Sequence, residues 1–321
     1  MVTDDGFGRR YGADLAALLV VTIWGVSFVF QKVTLEELDP LAFTFARFVG
    51  MLALGWGVLL WRRVGGSPIG VARADLPGLA LAGVLGYSLY ILLSTVALSY
   101  TTAFSNALLI ATAPLFAALL LRALGLERIA VGQVVAMVVS LCGVVLFLGE
   151  KVQVGLRGAS LGDLISLAAA FFFAAYSVAN KPLLTRYPVS VVMAYTLTIG
   201  AVPVLLISFP ATLAQDWSGV SAAGWAGLVW SIVVPVYVAW TVWSWAIARA
   251  GVARTSVFMY LVPPVGGLAS WTLLGEGFGL LKIAGALLVL AGLVLARRAS
   301  TGPTESLRTV RSAPAPATTS G

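Results

Sequence analysis

Arg47 is the one basic residue set well inside an apolar run, about two helical turns from the end of that run. The thirteen carboxylates (Asp4, Asp5, Asp14, Glu36, Glu37, Asp39, Asp75, Glu127, Glu150, Asp163, Asp216, Glu276 and Glu305) all fall in tails, loops or the first turn of such a run. None is placed to carry a proton midway, and no two acids sit a turn apart at depth to share acid and base work. Histidine is absent, which removes zinc-peptidase motifs, Ser-His and Cys-His nucleophile pairs and the imidazole proton shuttle. Cys142 is the single cysteine and lies in an apolar run, so it offers neither an intrachain disulfide nor a metal cluster. An enzyme, a metal centre and a cofactor are therefore not expected. The chemistry left is recognition: a buried cation, amides, hydroxyls and aromatic faces.

The elements that position these groups are membrane spans. Sixty per cent of the 321 residues are hydrophobic, only 10% are charged, and the mean hydropathy is +0.99. One soluble core cannot bury that much apolar surface, so the solvent for much of it is lipid. The net charge of +7 is scattered in ones and twos between apolar runs and forms no stripe, which argues against a nucleic-acid partner. Runs of about 20 apolar residues bounded by charge, Pro or Gly fall at 13–31, 40–61, 76–99, 102–121, 129–149, 160–180, 189–209, 222–247, 253–274 and 280–297. The weakest separations are at Tyr100-Thr101 and around Ala250-Gly251. The first run is too long for a signal peptide and reads as a retained helix.

Five of these runs repeat the other five at a constant offset of 149. Asp14/Asp163, Lys32/Lys181, Ala97/Ala246, Pro114/Pro263, Leu124/Leu273, Glu127/Glu276 and Gly143/Gly292 pair without a gap. Fifteen of the 20 basic residues fall in segments that share a side with the termini, against four on the other (Lys32, Lys151, Arg157, Lys282), Arg47 being within a span. Positive charge gathers in the cytoplasm, so both termini are expected there. An odd number of spans per copy then inverts the second copy. The predicted fold is all-α, ten transmembrane helices as two inverted five-helix repeats. The predicted organisation is a cytoplasmic tail at 1–12, repeats at 13–149 and 160–298, a linker at 150–159, and a disordered cytoplasmic tail at 299–321 in a multi-pass protein of the cell membrane.

Within that frame Pro114 and Pro263 lie mid-run, each lacking an amide proton and crowding the carbonyl four residues back, at Ile110 and Met259. A kink is expected at each, either opening carbonyls to a substrate path or serving as a packed bend; Pro264 has no partner in the first copy. Glu127 and Glu276 follow their prolines by 13 residues and read as helix-end anchors, while Asp14 and Asp163 read as neutralising helix N-termini. Gly143 and Gly292, with Ala136 and Gly285 seven residues earlier, suit close packing, inside the bundle or in a homodimer. Arg47 has two readings: its side chain snorkels outward to Glu36, Glu37 or Asp39, or it contacts an anion. Trp56, Trp61, Trp217 and Trp225 read as interfacial belts.

The segments TTAFSNALLIATAPLFAALLLRALGLERIAVGQVVAMVVSLCGVVL and GVARTSVFMYLVPPVGGLASWTLLGEGFGLLKIAGALLVLAGLVL share small residues, a mid-helix Pro, Glu 13 residues on and Gly 16 beyond. In this the chain resembles the EamA branch of the drug/metabolite transporter superfamily, from about 13 to 297. The resemblance implies a chamber lined by the first, third and fourth helices of each half and export or exchange of amino acids, nucleobases or related metabolites. Residues spaced by three or four on those spans become cavity candidates: Trp24, Ser27, Phe28 and Gln31; Tyr87, Tyr90 and Ser94; Asn106 and Thr112; Tyr176 and Asn180; Trp240 and Trp243; Thr255 and Tyr260. The expected function is alternating-access export of an amino acid or amino-acid-like compound in a lipid bilayer. Drug or nucleobase efflux, a lipid flippase and a lipid-modifying enzyme are the alternatives.

Overall fold

The computed structural model describes residues 5–126, 131–153, 157–239, 242–243, 245–246, 258 and 261–300. Every described element is helical, as lipid requires of a chain whose backbone groups must pair internally. Among the described residues seven helices are long and apolar enough to cross a membrane: Gly12–Glu37, Pro40–Val64, Arg73–Tyr100, Ala103–Ala123, Val131–Gly149, Leu161–Arg186 and Val189–Ala214. Shorter apolar helices follow at Ala222–Val238 and Leu280–Ala296.

In chain order these are α1 (Asp5–Glu37) and α2 (Pro40–Val64), then a third run made of α3 (Leu76–Gly83), a π-helical segment (Val84–Ile91) and α4 (Leu92–Tyr100). The fourth run divides into α5 (Ala103–Ile110) and α6 (Ala113–Ala123). Next come α7 (Val131–Gln153), α8 (Arg157–Arg186), α9 (Val189–Ala214) and α10 (Ala222–Val233), which passes into a second π-helical segment (Val234–Val238). Helices α11 (Val262–Leu274) and α12 (Leu280–Ser300) close the described chain.

Local chemistry sets the ends. Asp39 caps α2, accepting from the amides of Leu41 and Ala42 at 2.8 and 3.2 Å, with Pro40 in the first turn where it forfeits no helical bond. Thr101 is extended (φ −125°), ending α4 at the weak joint, and the Thr102 hydroxyl accepts from Ser105 N to start α5. Gly275 stops α11 at φ 65°, a left-handed position that a side chain would strain. Pro114 lies in the first turn of α6, and the two residues between α5 and α6, Ala111 and Thr112, leave the helix. The expected kink is thus a break, and the Leu109 carbonyl accepts from the Thr112 hydroxyl at 2.6 Å and from the Thr112 amide at 3.1 Å. Pro263 stands in the first turn of α11 in the same way.

Small residues let these helices touch backbone to backbone. A Cβ on Gly143 would stand 2.6 Å from Val289 N, and one on Gly285 2.5 Å from Phe147 N, so α7 and α12 pack within the chain on their predicted small-residue face. Ser140 Oγ donates to Val289 O across that contact at 3.3 Å. Helix α1 lies on α11 where Gly25 meets Gly266, and α8 lies on α5 and α6, where Ala170 and Ala174 meet Ala113. Helix α2 lies along α9, with Phe48, Met51, Leu197, Ala201 and Val204 buried between them and Tyr87.

Candidate functional site

Arg47 is turned inward. Only 9% of it is exposed, and its Nη1 donates to Gln31 Oε1 on α1 at 3.1 Å. Gln31 is held in that orientation because its Nε2 donates to Ser27 O at 3.2 Å. The outward snorkel is not what the chain adopts. Two acids that would draw it out are occupied: Asp39 caps α2, and Glu37 accepts from the amide and hydroxyl of Ser221 at the start of α10. Arg47 Nε is buried without a hydrogen-bond partner, and among the described residues no carboxylate lies within ion-pair distance of it.

Beside it an aromatic chain runs across three spans. Tyr90 packs on Phe173 (centroids 4.8 Å), Phe173 on Tyr176 (6.3 Å), Tyr176 on Tyr87 (6.1 Å) and Tyr87 on Phe48 (6.4 Å). Gly86 makes room for this, since a Cβ there would run into the Tyr176 ring. Asn180 Nδ2 donates to Tyr176 Oη at 3.0 Å, while its Oδ1 is buried and has no partner. A buried donor and a buried acceptor therefore flank one aromatic surface, each lacking the partner that burial normally requires.

The other candidates divide. Trp24 and Phe28 on α1 meet Trp243 in one cluster; the Trp24 and Trp243 rings are 5.3 Å apart, and Trp24 Nε1 donates to Pro235 O in the second π segment at 2.9 Å. Asn106 is fully buried between spans, receiving the Ser166 hydroxyl at 2.8 Å and donating to Ser94 Oγ at 3.3 Å. It joins the third run, α5 and α8. Trp240, Thr255, Tyr260, Glu127 and the Ala250-Gly251 joint lie outside the described residues. Pro264 follows Pro263 into the first turn of α11.

A cavity of about 420 Å³ opens between α2 and α9, lined by Met51, Gly55, Val58 and Arg62 on one wall and Val189, Ser190, Met193, Ala194 and Leu197 on the other. Tyr87, Val236 and Tyr237 from the two π segments complete it. Tyr237 Oη donates to Met51 O at 2.7 Å. Of the predicted cavity residues that the structure describes, only Tyr87 reaches this space. The signal was present: residues 51, 55, 58 and 62 fall on one helical face, ending in arginine.

At the other end of the bundle, polar groups from several spans converge on residues 98–103. Lys32 Nζ donates to the carbonyls of Leu98 (2.7 Å) and Thr101 (2.9 Å), completing the C-terminus of α4. The Thr101 hydroxyl bonds Asp163 Oδ1 on α8, and Glu276 Oε1 accepts from Ala103 N at 2.9 Å. Glu276 thus anchors a helix end, though that of α5 and not its own.

The sequence profile of the EamA-like transporter family matches residues 12–149 and again 160–298. A protein of Streptantibioticus cattleyicolor named as a probable terminal-alkyne amino-acid exporter is 31% identical over 89% of this chain and 94% of its own. A probable amino-acid metabolite efflux pump of Salmonella typhimurium is 27% identical over 87% of this chain and 92% of its own. One crystal structure superposes with a TM-score of 0.61 at 22% identity, covering 89% of this chain and 97% of that one.

Proposed function

The chain belongs to the EamA-like transporter family, and from that premise we propose that it is a ten-helix secondary carrier exporting an amino acid or amino-acid-like compound by alternating access. Its two halves are inverted, with both termini cytoplasmic. The packing supports this: a shift of 149 residues carries the α1–α11 contact onto the α8–α6 contact, and returns α7–α12 and α2–α9 to themselves. Both π segments and both helix restarts that carry a proline in their first turn, at Ala113 and Val262, coincide under the same shift. Such paired interruptions are where inverted-repeat carriers place substrate and pivot.

Arg47 carries the substrate assignment. A buried guanidinium whose protein partner is a neutral amide needs an anion to offset its desolvation, and a carboxylate matches its planar donors. Asn180 Oδ1 would accept from an ammonium, and the Tyr90, Phe173 and Tyr176 rings would pack the side chain between the two. The two named relatives support the same class. A ligand-induced thermal-shift screen of purified protein tests it, because a ligand that binds only the folded state raises the unfolding midpoint. Zwitterionic amino acids are expected to raise it; a clear rise with nucleobases or lipophilic cations alone would overturn the amino-acid assignment.

A further inference from the structure

The cavity between α2 and α9 shares only Tyr87 with the aromatic surface beside Arg47, and two of its groups are unexplained. Arg62 Nε and Ser190 Oγ both line it and are both buried without a hydrogen-bond partner. Two unsatisfied polar atoms converging on one cavity are a costly arrangement unless something binds there. Both atoms can donate, so the missing group is an acceptor. Arg62 brings positive charge, and among the described residues no carboxylate lies within ion-pair distance of it. Ser190 lies in the first turn of α9, a helix of 26 residues whose N-terminus has no side-chain cap, so its free amides and dipole add to the same preference. Away from this corner the walls are mainly apolar, with Met51, Val58, Met193 and Leu197, and the Tyr237 hydroxyl there is engaged by Met51 O.

We propose that this cavity is a binding site for a small carboxylate with an apolar body, the carboxylate held by Arg62 and Ser190 and the body lying between α2 and α9. The volume of about 420 Å³ falls in the range of small-molecule pockets, several hundred Å³. Met51 at the inner end is one helical turn from Arg47 on the same face of α2, roughly 6 Å along the axis. Arg62 therefore marks a first station and Arg47 a second, on one helix. The claim of binding stands on the cavity alone; the claim that the bound molecule moves on toward Arg47 rests on the carrier reading above.

Isothermal titration of the full chain in zwitterionic nanodiscs, against empty nanodiscs, separates these claims with three probes of similar length: hexanoate, L-norleucine and hexan-1-ol. Both carboxylates are expected to saturate the cavity, L-norleucine also reaching the Arg47 station, and hexanol to bind the cavity at least about tenfold more weakly, the margin of one charge-assisted bond. Arg62→Gln should cost the carboxylates about tenfold and leave hexanol unchanged. Ser190→Ala should cost them a smaller factor, about threefold, and serves if the arginine variant does not fold. Met193→Trp, which fills the cavity, should abolish saturable binding of hexanoate and hexanol and leave L-norleucine only its Arg47 station. Equal affinity for hexanol and hexanoate, indifference to both polar substitutions, or no saturable binding would overturn the site. Binding that follows these rules without any flux of amino acid in proteoliposomes would sink the carrier reading and leave the site standing.

Discussion

The Arg47 guanidinium on α2 donates to the Gln31 amide on α1 at 3.1 Å, both side chains being buried. A neutral acceptor orients the cation without neutralising it. That would keep the charge available to the proposed carboxylate, whereas an aspartate or glutamate in place of Gln31 would satisfy it permanently.

Arg47→Gln is therefore expected to weaken carboxylate substrates by roughly 2–3 kcal/mol, about 30- to 150-fold in KM, with little loss of thermal stability. Removing an incompletely paired buried charge relieves desolvation, so stability should hold or rise. Counterflow kinetics and thermal unfolding check the pair of outcomes. A fallen unfolding midpoint with unchanged KM would make Arg47 structural.

Pro114→Ala restores the amide that the proline lacks and removes the clash behind the break at Ala111 and Thr112. Fusing α5 and α6 should leave the unfolding midpoint unchanged or raised, while turnover falls on the order of tenfold because the rocking step loses its joint. Equilibrium binding of substrate beside single-turnover flux distinguishes this from a damaged site.

At the α7–α12 contact, Gly143→Ala places a methyl 2.6 Å from Val289 N and 2.8 Å from Gly285 O. Backbone cannot yield as a side-chain end can, so the variant should lose about 1–3 kcal/mol by overpacking, read as a lowered midpoint in detergent. Gly57, which has open space around its Cβ position, is the control: Gly57→Ala should be neutral or slightly stabilising.

Asp216, in the loop before α10, accepts from the Ser218 hydroxyl and from the Ser218 and Gly219 amides, which lowers its pKa below the usual carboxylate value. A lowered folded-state pKa contributes stability above the unfolded value, and that stability is lost as pH falls through the folded one. The difference in unfolding midpoint between wild type and Asp216→Ala should thus be present at neutral pH and vanish in acid. The group is exposed, so the difference is small.

Much of the helical layout was legible because its signals are local. Pro40 behind Asp39 starts α2 where expected, and the run predicted at 189–209 is α9, Val189–Ala214. Pro114 announced its break for the same reason. The direction of Arg47 was not legible, because it depends on Gln31 in another helix and on Glu37 and Asp39 being engaged as caps. The π segments were hidden as well: one wider turn leaves an apolar run looking unbroken. Residues 51, 55, 58 and 62 showed a common face in sequence, but periodicity gives sidedness and does not say that the face borders a cavity.

Movement of a zwitterion across the bilayer is the activity proposed for this chain. Counterflow of labelled neutral amino acids into proteoliposomes preloaded with unlabelled ones tests it directly. Saturable accumulation that requires the internal amino acid, and that weakens in Arg47→Gln, is the predicted result. Ohmic current or lipid scrambling with no counterflow of any amino acid would contradict it.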